Sequence, residues 1–179
     1  REAEVSLTRA AVAVLIALAV TGCTSPVPAT PSTPTPSTTV SSSPSPLLDP
    51  DEAAAVAAVS RYLAMIDALG ADPSSQLEQL TTVARGQAAA QWTQNLFTQR
   101  ARGERQIGGV SVVEAVAAPA GDNIWAVTVC VDVTKSDVLD KNGHSVVAKD
   151  KSDRLESEHT VEKVGSAWYV LTEKVTATC

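Results

Sequence analysis

Three cysteines and two histidines are the side chains of this 179-residue sequence with the most distinctive chemistry. Cys23 ends the run Val20-Thr21-Gly22-Cys23, an aliphatic residue and two small ones before a cysteine. That is the pattern of a lipobox. Small residues let the backbone enter the narrow active site of a signal peptidase, and the cysteine thiol takes a diacylglycerol thioether. With Cys23 consumed by lipid, Cys130 and Cys179 remain as a pair. In an extracytoplasmic compartment they can oxidise and close a loop of about fifty residues, which stabilises by roughly 3–4 kcal/mol in the chain-entropy picture. The alternative is two inert buried thiols.

Groups able to move protons are sparse. Catalysis would require an ionisable base at a pocket and a donor placed against developing charge. Asp132 falls on the same strand face as Cys130, opposite a run of valines, and is expected to face solvent or the bridge. His144 follows a turn and is expected to be exposed. His159 stands among Glu156, Glu158 and Glu162 and reads as a solvated position rather than a base. Tyr62 and Tyr169 could present hydroxyls to a pocket, although tyrosine is also a common amphipathic core residue. Trp92, Trp125 and Trp168 each lie in a stretch with an apolar period, which favours core packing over carbohydrate stacking. The candidates for a pocket are therefore Tyr62, Trp92, Asp132, His159 and Tyr169, with no residue assigned a catalytic role. Gly-x-Ser-x-Gly, a phosphate-binding glycine loop, Cys-x-x-Cys and His-x-x-x-His are all missing from the sequence. Two distant histidines make no zinc site, so neither a metal nor a cofactor is expected.

The elements that must position these residues fall into three regions. Residues 10–20 (AAVAVLIALAV) form an apolar run preceded by Arg9, too short to span a bilayer and suited to a signal peptide over 1–22. The chain opens Arg1-Glu2-Ala3-Glu4-Val5. A start at Val5, written by a GTG codon, would leave Ser6-Leu7-Thr8-Arg9 as a compact basic n-region. After Cys23, the stretch to residue 46 holds seven of the ten prolines among serines and threonines. Such a stretch resists helix and sheet and reads as a disordered stalk, reaching about 70 Å if it adopts polyproline II throughout.

Residues 47–179 then read as one domain. A first helix opens at Asp49-Pro50-Asp51-Glu52 and carries Val56, Val59, Leu63, Ile66 and Leu69 on one stripe up to Gly70. Asp72-Pro73 predicts a short second helix to about residue 84, and a third runs from Gln87 to about Arg102, with Trp92 and Leu96 or Phe97 inward. The period then switches to two. A strand is expected from Val110 to about Ala117. Next comes the faultless alternation Trp125, Val127, Val129, Val131, Val133, then a hairpin turn at Asn142-Gly143. A long polar strand over 144–164 and a last strand over 168–179 complete an α+β meander. The mixed-charge run 149–154 reads as a solvated edge. Net charge is −6, and without a basic stripe nucleic acid is excluded as a partner and attachment to anionic lipid needs the covalent anchor.

The lipobox and Ser/Thr/Pro stalk, the segment 82–109 (TVARGQAAAQWTQNLFTQRARGERQIGG), the strand Cys130-Val131-Asp132, the Asn142-Gly143 turn and the closing Trp168-Tyr169-Val170 strand resemble the small exported lipoprotein domains of the NTF2-like (SnoaL-like) superfamily in actinobacteria. The resemblance implies a curved sheet wrapped around a helix with a conical pocket between them, so the three N-terminal helices and four antiparallel strands read above are expected to form an NTF2-like cone. It also implies a Cys130–Cys179 bridge. It carries no catalytic motif, and the fold hosts enzymes and binding domains alike. The resulting expectation is a lipid-anchored lipoprotein on the extracytoplasmic face of the cell membrane, a non-enzymatic accessory or binding domain. Its partner would be an envelope protein, a wall component or a small apolar ligand. The alternatives are an NTF2-like isomerase or dehydratase acting on a small hydrophobic substrate, with Asp132 or His159 as base, and a mobile-element-encoded surface interference or immunity lipoprotein.

Overall fold

A computed structural model describes residues 49–179. The expected signal peptide, Cys23 and the expected stalk lie outside the described residues. Helix α1 (Pro50–Ala71) begins where the sequence places it: Asp49 caps it by accepting from the Asp51 N–H at 2.8 Å, and Pro50 takes the first helical position. Its buried face is Ala55, Ala58, Val59, Tyr62, Ile66, Leu69 and Gly70, with Val56 and Leu63 half-buried beside it. By length and apolarity α1 could cross a membrane, the one such helix among the described residues. Here it is the core helix, packed against all four strands of the main sheet.

The second helix is shorter and tighter than its sequence suggests. Asp72 spends its carboxylate on a turn, accepting from the Ser74 N–H and from the hydroxyls of Ser74 and Ser75. Local side-chain bonds of this kind compete with α-helix. Past the turn the chain forms a single 3₁₀ stretch, Leu77–Thr82, which buries Leu80. Helix α2 (Gly86–Ala101) turns Ala88 and Leu96 inward and leaves Phe97 outside. Arg100 ties the helical layer together by donating to the carbonyls of Leu69, Asp72 and Ser75.

The main sheet is antiparallel, in the order β2 (Ser111–Gly121), β3 (Ile124–Asp132), β5 (Arg154–Val164), β6 (Ala167–Ala177). With the helices on one face, this is the α+β layout that the sequence predicts: helices packed on a four-stranded antiparallel sheet. Three details depart from the expectation. Strand β2 continues through Pro119 to Gly121, because it lies at the sheet edge and a missing N–H there breaks no ladder. The Asn142-Gly143 turn forms, with Gly143 at φ 83° and Asp140 accepting from the N–H groups of Asn142 and His144. It does not join the main strands. It belongs to a small flap in which β4 (Asp137–Leu139) pairs with β1 (Arg105–Ile107), a strand that no sequence pattern announces. The polar segment after the turn is consequently loop until Arg154, where β5 begins. On β3, Trp125, Val127, Val129 and Val131 all point into the core, and Trp125 meets Trp168 at 4.7 Å between ring centroids.

Cys130 and Cys179 are bonded, with 6.0 Å between Cα atoms. Cys130 pairs with Glu156 on β5, which pairs in turn with Ala177 on β6. The bridge therefore reaches across β5 and pins the chain terminus to a central strand.

Candidate functional site

Between α1, α2, the β1–β4 flap and the sheet lies a cavity of about 280 Å³, just under the usual range of small-molecule pockets. Its wall is mainly aliphatic: Leu63, Ile66, Val110, Val131, Leu155 and Val175 contribute, with Trp92 from α2. Set into that wall are the carboxylates of Asp67 and Glu173, the Gln106 amide and the hydroxyls of Ser136 and Ser157.

Asp67 comes from α1, one turn after Leu63 on the same stripe. Its two oxygens accept from the Gln106 amide at 2.5 Å and from the Val110 backbone N–H at 2.9 Å. Burial raises its carboxyl above the usual aspartate value, and those two hydrogen bonds only partly oppose the rise. Two glycines make the arrangement possible. A Cβ on Gly109 would sit 2.8 Å from Asp67 Oδ2, and one on Gly70 would sit 2.7 Å from Gln106 Oε1. Neither side chain could then keep its place.

Glu173 comes from β6 and is held from behind. Its Oε2 accepts from the Tyr62 hydroxyl at 2.7 Å and from the Trp92 indole N–H at 2.5 Å. Tyr62 is fully buried, and burial, then the charge and hydrogen bond of Glu173, hold its hydroxyl proton far more tightly than usual. Directly across the ladder from Glu173 is His159. It is 2% exposed, lies 6.1 Å edge-on from the Tyr62 ring, and its Nε2 is 2.9 Å from the Ser157 hydroxyl. Burial lowers its proton affinity, against a smaller opposing pull from Glu173. Its Nδ1 has no partner among the described residues.

The candidates read from the sequence thus separate. Trp92 lines the cavity, and Tyr62 orients one of its carboxylates. His159 corrects the expectation of a solvated position: it faces the interior, because strand neighbours alternate sides and its glutamates occupy the opposite face. Even so, it stands behind Glu173, not in the cavity wall. Asp132 lies at the end of β3, where it accepts from the N–H and hydroxyl of Thr134; these bonds, the hydroxyl's first, hold its carboxyl below the usual range. It serves a turn and stays outside the cavity. Tyr169 also lies outside, its ring 3.5 Å beneath the Arg85 guanidinium. Asp67, Gln106 and Glu173 were missed. For Asp67 the signal was a carboxylate in register with an apolar helical stripe, and for Gln106 and its neighbours it was the Gly108-Gly109 pair. Among the described residues no group of histidine, cysteine and carboxylate side chains has metal-site geometry.

No protein-family model and no curated protein matches this sequence. Among solved structures, the intermembrane space region of the chloroplast protein ARC6 superposes with a TM-score of 0.53 at 15% identity, over 74% of this chain and 100% of that one. Aln2 from a Streptomyces species superposes with a TM-score of 0.43 at 14% identity, over 73% of this chain and 93% of that one. At such identities the first likeness speaks for a related α+β fold and nothing further.

Proposed function

We propose that this chain is a lipid-anchored binding domain of NTF2-like type, displayed on a stalk at the extracytoplasmic face of a membrane and acting without catalysis. The lipobox at Cys23 and the proline-rich stretch after it support the address. The observation that carries the binding role is the aliphatic cavity under α1, whose polar groups are held in place by structural hydrogen bonds. Asp67 is engaged by Gln106 and Val110, and Glu173 by Tyr62 and Trp92. Such a wall is fixed in shape and orients a guest, as small-molecule sites do.

Native mass spectrometry of the full chain, extracted from membranes in mild detergent, tests this reading. A diacylated Cys23 and a co-purified small molecule are expected. An unmodified Cys23 overturns the anchoring, and a lipidated protein with an empty cavity redirects the search to protein partners.

One observation favours an enzyme as the second reading: Asp67 is a carboxyl of raised proton affinity in an apolar wall, the environment in which general bases are found. Incubating any co-purified molecule with the protein in D₂O separates the two. Deuterium entering a carbon of that molecule with wild-type protein, but not with Asp67→Asn, would establish proton abstraction. A molecule that binds and leaves unlabelled supports the binding domain.

A further inference from the structure

The charge balance of the cavity wall points to the kind of ligand it takes. Thirteen residues line the cavity, among them two carboxylates and no lysine, arginine or histidine. Neither Asp67 nor Glu173 belongs to an ion pair among the described residues. Lys151, on the loop before β5, donates to the carbonyls of Val133 and Ser136 from outside the lining. Every donor to Asp67 and Glu173 is neutral: an amide, a backbone N–H, a phenol and an indole. At Glu173 both side-chain donors converge on Oε2, and Oε1 accepts from no described residue. A carboxylate offers about four acceptor positions, so both groups keep capacity for a guest. Negative charge set in an aliphatic wall and left without a counter-charge is costly, and a cationic guest removes that cost.

We propose that the cavity binds a small organic cation, a protonated amine on a compact apolar body. The ammonium sits at the Glu173 and Asp67 carboxylates and the hydrocarbon lies against Leu63, Ile66, Val131 and Leu155. This assignment rests on the binding role above and deepens it. It also gives the Tyr62 and Trp92 bonds a purpose, since they fix Glu173 from one side and leave the other oxygen for the ligand.

The test uses three probes of one shape and different charge: cyclohexylamine, cyclohexanol and cyclohexanecarboxylate, titrated by calorimetry at neutral pH into the full chain in mild detergent, with detergent alone as the blank. The amine is expected to bind about tenfold or more tightly than the alcohol, as a charge-assisted hydrogen bond adds to the same apolar contact, and the carboxylate not at all. Glu173→Gln, which keeps an acceptor for Tyr62 and Trp92, should erase most of that preference. Asp67→Asn serves as the second variant, and the thermal midpoint of each shows whether it is folded. Val133→Phe, which fills the cavity, should abolish binding of every probe. Alcohol binding as tightly as amine, with both lost in Val133→Phe, overturns the cation assignment and leaves the binding role standing. An amine preference that survives both carboxylate variants also overturns it. Failure of all three probes removes the binding role itself.

Discussion

Strands β3 and β5 lie side by side with the same pleat, and the middles of their inward faces differ: apolar on β3, polar on β5. On β3 the inward residues are Trp125, Val127, Val129 and Val131, and their direct partners on β5 are Val161, His159, Ser157 and Leu155. Both faces are closed to solvent: Val129 is 1% exposed and Ser157 2%, and Val127 and His159 stand at 1% and 2%. Hydrophobic burial explains the first strand, and Val161 and Leu155 on the second, but not Ser157 and His159, because a buried hydroxyl or imidazole gains nothing by leaving water unless it is hydrogen-bonded. On β5 the bonds are supplied locally, Ser157 to His159, and the polar track continues to Glu173 on β6 with Tyr62 and Trp92 as donors. One strand builds the core, and the next opens it to chemistry. Natural folds accept such local inconsistency where a site is made.

The strongest way to break the comparison is to cut what joins its two sides. The Cys130–Cys179 bridge runs from β3 over β5 to the end of β6. Replacing both cysteines with alanine should cost about 3–4 kcal/mol, from the loop of 49 residues it closes. Urea unfolding measures the loss. Amide exchange should show β6, with Glu173, opening before β3; uniform loss of protection across the sheet would mean that the bridge serves the whole fold and has no special bearing on the site.

Facing residues on the two strands give the next contrast. Val129→Ala removes buried hydrocarbon and should cost about 2 kcal/mol. Ser157→Ala, directly opposite, removes one hydroxyl and little volume, and should cost about 1 kcal/mol, the hydrogen bond it makes to the buried His159 ring. Equal losses in chemical denaturation would erase the distinction between a core strand and a site strand.

The same two strands show what was legible in the sequence. From Trp125 to Val133 a large apolar residue stands at every second position without a break, so its face and burial could be read directly. In the segment Arg154–Val164, however, polarity on both faces hides the period. His159 reads as exposed while attention rests on its glutamate neighbours, yet on a strand charged residues at positions i−1 and i+3 place the residue between them on the other face. Leu155, Ser157, His159 and Val161 were an alternating set all along. Helix α1 was legible by its cap and stripe; Asp67 was passed over because a carboxylate in a stripe looks like its end. The β1–β4 flap could not be anticipated, since two three-residue strands carry no period and owe their form to Gly103 and Gly108 at positive φ. At Gly108 a Cβ would fall 1.7 Å from the Lys135 carbonyl oxygen, which excludes any other residue.

A subtler contrast lies within the polar track. Glu173→Leu would strand the buried Tyr62 hydroxyl and the Trp92 N–H without an acceptor, and should cost about 2 kcal/mol despite adding hydrocarbon. Glu173→Gln keeps an acceptor oxygen and should cost less than about 1 kcal/mol. Thermal denaturation of the pair decides whether Glu173 is held for its oxygen or merely for its volume; in the second case the leucine variant would be the more stable.

The smallest effect, near neutral pH, separates the strands by titration. The β3 face carries no titratable group, whereas His159 is buried on β5 and protonates less readily than an ordinary histidine at 6.5. As pH falls through 6.5 the unfolded chain binds that proton first. Stability therefore declines in the window below 6.5, until the folded protein is protonated too, and is fully present above it. Asp67 acts with the opposite sign: burial raises its carboxyl, so its contribution is present at acid pH and is lost as pH climbs through the raised value. Comparison with His159→Gln isolates the histidine, and its stability between pH 7.5 and 5.5 should change less than that of the wild type. In Glu173→Gln, which removes the one charge favouring the imidazolium, the decline should steepen. An imidazole resonance titrating at its ordinary value in the folded protein would place His159 in contact with water and return β5 to the solvated strand its glutamates suggest.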